Sequence, residues 1–238
     1  MNKMSKLLVT EKEIVVPGEV LAEGMDNLPG VGTYRDGDKI LAGRLGLTYI
    51  DGRTLKLIPL SGRYNPKKND IIIGKVIDIS FSGWRIDTNS AYSAMMSISE
   101  ASSSYIQKGA DLTQYFNLGD YLVCGITNVT SQKLIDVSAK GPGLHKIKGG
   151  RVIEVSPYKV PRIIGKQGSM VSMLKQASGC KIIVGQNGLV WVEGEPDKEL
   201  LVERTIRKIE DESHLKGLTD KIQKFLEKET GVKLGGPQ

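Results

Sequence analysis

The chain has 238 residues, of which 39% are hydrophobic and 25% charged, a balance that fits folded globular units and excludes a collagen-like or wholly disordered chain. Its length exceeds the roughly 100–150 residues at which single domains cluster, so several small cores are expected rather than one large one. The net charge of +6, from 33 Lys and Arg against 27 Asp and Glu, favours a polyanionic partner without naming it.

From Ile14 to Leu60, short β-prone pieces are cut every few residues by Gly, Pro, Asp or Asn, the punctuation of an all-β unit. Thr54 to Ile58 alternates, and Asp51 and Gly52 in "IDGR" supply a hairpin turn. A small β-sandwich or hammerhead is expected, preceded by a frayed N-terminal tail. The only apolar run near the start is Leu7 to Val9, too short for the core of a signal peptide, and no run of about 18 apolar residues offers a membrane crossing. A cytoplasmic protein with no membrane partner is the expectation.

The polar stretch from Ser61 to Asp70, with Pro66 and two adjacent lysines, marks a boundary. Beyond it "IIIGKVIDISFSGWRIDTNSAYSAMMSISEA" and "YLVCGITNVTSQKLIDVSA" hold five strands around one looser insertion, which suits a five-stranded Greek-key barrel of OB type. Cys124 and Cys180 stand far apart and outside any C-x-x-C pair. Both are expected as free core thiols in a reducing compartment, with no metal site and no cofactor.

The glycine-rich stretch Lys140 to Gly150 reads as a second linker. After it come a strand (Arg151 to Val155), two helices (Val160 to Gly165 and Ser169 to Ser178) and two strands (Lys181 to Val184 and Leu189 to Glu193) joined through Asn187 and Gly188. A helix opens at Asp197 and runs to about Ser213. The order is β-α-α-β-β-α. Leu218, Ile222, Phe225 and Leu226 share one helical face, which predicts a terminal helix packed on this unit or on a neighbour. The expected fold class is multidomain, mainly β and then α+β, with units at 1–64, 65–141, 142–213 and a helix and tail at 214–238.

Gly165-Lys166-Gln167-Gly168 falls between the two short helices. Glycine allows a tight reversal and close approach of another backbone, and the start of the second helix directs free N–H groups at whatever lies against it, which favours a phosphate. A G-x-x-G loop in this element order resembles the type I KH domain, whose loop clamps about four single-stranded nucleotides by their backbone. The resemblance implies that Gly165 and Gly168 admit the strand and Lys166 adds charge. Gln167 and Ser169 complete the loop, and Ile163 and Ile164 form an apolar floor under the bases.

"GKVIDISFSGWRID" with "SAMMSISE" resembles the OB-fold RNA-binding domain repeated in ribosomal protein S-one. That likeness casts Phe81 and Trp84 as base-stacking aromatics, with barrel packing as the alternative for both. Lys75, Arg85 and Lys133 are candidates for a positive field along an RNA backbone. The family's surface histidine position is held by Ser97, and its later Asp and Arg pair falls near Thr130 and Leu134.

The order of units, together with "PGE" at Pro17 to Glu19, "GTY" at Gly32 to Tyr34, "FSGW" and "VPRIIGKQGSM", resembles the RNA-binding cap subunits of the archaeal exosome. The resemblance implies three copies seated on a hexameric ring of RNase PH-like chains. The N-terminal unit would anchor to the ring and the barrel would surround a pore, with single-stranded RNA captured near its 3′ end and no catalytic residues in this chain. A free-standing RNA-binding factor is the alternative. An intrinsic exoribonuclease is disfavoured by the residues themselves. Asp36 and Asp38 are the nearest approach to a carboxylate cluster and fit a β-turn better, while His145 and His214 have no Ser or Cys in a triad-like setting.

Overall fold

The computed structural model describes residues 6–107, 109–213, 215 and 217–231. The chain divides into two compact units, Met1–Gly62 and Arg63–Gln238.

The first unit has eight strands: β1 (Lys6–Leu7), β2 (Ile14–Val15), β3 (Val20–Glu23), β4 (Leu28–Pro29), β5 (Thr33–Asp36), β6 (Lys39–Ala42), β7 (Gly46–Asp51) and β8 (Thr54–Pro59). They form two four-stranded sheets, β1-β3-β6-β5 and β2-β7-β8-β4. Leu21, Ile40 and Ala42 from one sheet meet Val15, Leu55 and Leu57 from the other in a single core, so the unit is a small sandwich. The alternation in β8 does what period two requires, burying Leu55 and Leu57. Asp51 pairs with Thr54, which moves the two-residue turn one place along, to Gly52 and Arg53. Asp36 pairs with Lys39 across Gly37 and Asp38, so the carboxylates of "YRDGDK" serve a hairpin. The segment expected to fray is ordered from Lys6, because Lys6 and Leu7 pair with Glu23 and Ala22 and Val9 is buried; residues 1–5 of that tail lie outside the described residues.

In the second unit β9 (Ile71–Ser80), β10 (Gly83–Asp87), β11 (Ser93–Ser97), β12 (Tyr121–Val129) and β13 (Ile135–Ser138) close into a barrel in the order β10-β11-β13-β12-β9. Ile72, Val76, Trp84, Ile86, Met96, Leu122 and Ile126 fill it. The looser insertion is part of that core, contributing Ile106, Leu112 and Phe116. Cys124 is a buried free thiol, its pKa pushed up to about 12 by burial, and Cys180 is likewise free and buried.

The second half continues as β14 (Arg151–Glu154), α1 (Val160–Ile164), α2 (Ser169–Ser178), β15 (Lys181–Val184), β16 (Leu189–Glu193) and α3 (Pro196–Asp211). The sheet is antiparallel in the order β14-β16-β15. The three helices cover one face, with Val160, Ile163, Met170, Leu174, Val202 and Ile206 in the shared core. A last helix, α4 (Leu218–Thr230), buries Leu218, Ile222 and Leu226 in the same core with Phe225 packed against it. The expected terminal helix therefore packs on this unit.

The stretch 140–150 is docked against the barrel. Val123 N–H donates to His145 O at 2.9 Å and Ile147 N–H to Tyr121 O at 2.8 Å, extending the ladder along the end of β12. Lys146 binds Asp120. Burial opposes the charge on Asp120, yet Lys146 and the Asn117 N–H hold its carboxyl below the usual carboxylate range. The other face of the β14-β16-β15 sheet then meets the barrel through Ile73, Val123, Ile147 and Trp191. Asn187, in the β15–β16 turn, is fully buried at this junction. Its Nδ2 donates to Ile73 O (2.7 Å) and Thr88 O (2.9 Å), and its Oδ1 accepts from Ile73 N–H (3.3 Å). A barrel and an α+β layer expected as beads on a linker are thus one packed unit.

Candidate nucleic-acid interface

The Gly165–Gly168 loop is made by stopping one helix and starting another within four residues. Pro161 suits the first turn of α1, and Gly165, at φ +75° and ψ 175°, ends it in a conformation open in practice only to glycine. Gln167 (φ +53°) and Gly168 (φ +81°) are also left-handed, after which α2 begins without any side-chain cap. The first-turn N–H groups of α2 are therefore left to the loop, to water or to a ligand. Lys166 and Gln167 are exposed, and Ser169 is half-buried at the first turn.

The two glycines differ in surroundings. A Cβ at Gly165 would lie 2.7 Å from Met170 N and 2.8 Å from Met170 Cβ, whereas one at Gly168 would meet nothing nearer than Val171 Cγ1 at 3.9 Å. Gly165 is required by the turn and by its own neighbours, and Gly168 leaves open space in front of α2. The apolar floor needs correcting: Ile163 is wholly buried in the helix–sheet core, so only the half-buried Ile164 borders the loop. Val160 and Ile163, one turn apart, both point inward, and that spacing was the signal. Arg162, absent from the expected set, is exposed on the last turn of α1 beside Gly165.

The barrel residues do not converge. Trp84 is a core residue, 0% exposed, with its ring edge-on to Phe116 at 5.6 Å and its Nε1–H donating to Phe116 O at 2.9 Å. It has no free face for a base, which overturns the stacking role for this residue. Phe81 is the opposite case, 95% exposed at the β9–β10 turn. Lys75 and Arg85 both face outward, but each has a carboxylate residue directly across the strand pair, Asp87 and Asp78 respectively, and Lys75 also sits 5.6 Å over the Tyr121 ring. Lys133 lies in the β12–β13 turn at φ +63°, its ammonium 3.3 Å from Asn65 Oδ1. The shallow outer groove near β11 and β13 is lined by Ser82, Met95, Ser97, Glu100, Thr127 and Asp136 and offers two carboxylates and no cation. An anionic strand is better served by the Gly165–Gly168 loop.

Among the described residues, no three His, Cys, Asp or Glu side chains are grouped to hold a metal, and no helix is long and apolar enough to cross a membrane.

Two family models match the second unit: an S1 domain of RRP4 over residues 63–128 and a KH domain over residues 150–198. Over 226 residues, 95% of this chain and 71% of the relative, the sequence is 40% identical to the exosome complex component Rrp4 of Methanothermobacter thermautotrophicus. It is 43% identical to that of Methanothermus fervidus over 92% of this chain and 97% of the relative. A crystal structure described as an exosome complex RNA-binding protein superposes with a TM-score of 0.65 and 30% identity, covering 73% of this chain and all of that one.

Proposed function

The chain belongs to the family of exosome complex component Rrp4, and from that premise we propose that it is an RNA-binding cap subunit that carries no catalysis of its own. It captures the 3′ region of single-stranded RNA and passes it to a hexameric RNase PH-like ring in the cytoplasm, three copies to a ring. The observation that carries the RNA-binding part is the Gly165–Gly168 loop, which combines left-handed backbone, an uncapped helix start and exposed Arg162 and Lys166. Gly168 is the point of closest backbone approach, Lys166 and Arg162 hold phosphates, and Phe81 is an exposed aromatic available to a base.

The sandwich supports the anchoring role. Ile14, Val16, Met25, Leu28, Val31 and Ile58 are all exposed on a unit of 62 residues, apolar surface available to a partner. Three weak RNA contacts held on one ring reinforce each other through effective concentration.

Native mass spectrometry of the tagged chain purified from its own cells tests this reading. A complex of three copies with six nuclease-like chains is expected. Recovery as a monomer with RNA or ribosomal proteins alone would overturn the cap assignment in favour of a free-standing RNA-binding factor.

A further inference from the structure

Beside the barrel, at the far end of α2 from the Gly165–Gly168 loop, lies an open groove of about 550 Å³ lined by His145, Lys146 and Lys148 from the docked stretch, Lys175 from α2, and Lys181 and Glu193 from the β15–β16 pair. Its floor is apolar and buried, formed by Ile182 and Trp191. We propose that this groove is a second RNA-backbone site, which receives the phosphodiester chain after it leaves the loop and carries it along the edge of β15; the inference rests on the RNA-binding reading above.

Three observations support it. First, the cations come from three separate chain segments yet face one concavity, with Glu193 the only carboxylate among the described residues of its lining. Second, their charges are not consumed equally. Lys146 is engaged by Asp120 and Lys181 by Glu193 (2.9 Å), while Lys148 and Lys175 are exposed and make no ion pair among the described residues. Those two ammonium groups remain free for phosphate. His145 is exposed too, and with its Nδ1 3.0 Å from Gly143 O, Nε2 is the ring nitrogen left for a ligand.

Third, the position suits a continuous strand. The ten residues of α2 span about 15 Å, with Gly168 before the helix and Cys180 and Lys181 just past its C-terminal Gly179. A chain gripped at the first end reaches the groove within a few nucleotides. The floor argues against base recognition there, because Trp191 is buried and its Nε1–H is committed to Gly149 O at 2.9 Å. Charge without an exposed ring gives contact to the backbone and no sequence preference.

The test uses the full chain and a thiouridine-substituted oligouridylate, with crosslinked peptides mapped by mass spectrometry and affinity measured across a salt series. The variants are Lys148→Gln with Lys175→Gln, whose exposed, unpaired side chains leave the core intact, checked by an unchanged melting temperature. The expected result is crosslinks in 143–150 or 175–183 and a log K against log[salt] slope shallower by about 1.4, two phosphates at about 0.7 each. A wild-type slope with crosslinks confined to 162–170 overturns the groove and leaves the loop standing. Failure of the unsubstituted chain to retain RNA overturns the RNA-binding reading itself. Release of a co-purifying acidic protein by the same substitutions, at unchanged RNA slope, assigns the groove to that protein and also overturns the proposal.

Discussion

A methyl group added at Gly165 would collide with the backbone of Met170, and one added at Gly168 would project into free space. Gly165→Ala is therefore expected to destabilise the second unit by about 2–3 kcal/mol or more, through a backbone region almost closed to other residues and a steric clash. Gly168→Ala costs about 1–2 kcal/mol for its left-handed backbone alone, but places its methyl in the open space proposed for the RNA strand. Urea unfolding paired with RNA affinity separates the two: stability falls more for Gly165→Ala, and affinity per folded molecule falls more for Gly168→Ala. Equal effects on both readouts would refute this division. The loop was legible because glycine spacing states backbone freedom directly. The fate of its apolar neighbours was legible only through phase. Trp84 shares its parity with Ile86 along β10 and points inward with it, whereas Phe81, on the turn before, has no such partner. Positive φ at Gln167 had no signal in its own residue type and follows from the glycines on either side.

In the α+β layer, strands, helices and their order followed from punctuation and periodicity, since the two short helices and the β15–β16 pair are bounded by glycine and by clear apolar phase. What escaped was how the barrel and the α+β layer join. Glycine content in 140–150 signals a linker, but Leu144 and Ile147 pack on the barrel side of the sheet and the backbone bonds to Tyr121 and Val123. Pairing between segments far apart in sequence is set by tertiary packing and leaves little local trace. Asn187 shows the same limit: its residue type suits a turn, yet its side chain makes three bonds to the barrel backbone. Asn187→Ala leaves those groups without their partner in a buried junction, and a loss of about 2–3 kcal/mol in urea unfolding is expected. A change below about 0.5 kcal/mol would mean that the junction holds through Ile73, Val123, Ile147 and Trp191 alone.

At the scale of the molecule, the two compact units have separate cores, so removing residues 1–62 leaves the second unit complete. The truncated chain is expected to unfold cooperatively and to keep the RNA affinity of the monomer while losing association with nuclease-like chains in pull-down. Retained association would transfer the anchoring role to the second unit; lost RNA affinity would place a binding surface in the sandwich. The division into sandwich, barrel and α+β layer was readable because each has its own composition and period. The assembly they join was readable only through likeness, since an anchoring surface is a pattern of exposed side chains that no periodicity encodes.

The burial of Asn187 and Trp191 between barrel and sheet has a mechanical consequence. On a slack tether, the Gly165–Gly168 loop would sweep a wide volume and present its strand to the barrel at any distance. Bolted as it is, the loop stands at one fixed offset from the barrel. A strand that contacted both the loop and the exposed Phe81 would meet them already spaced, with no ordering of one part against the other left to be completed on binding.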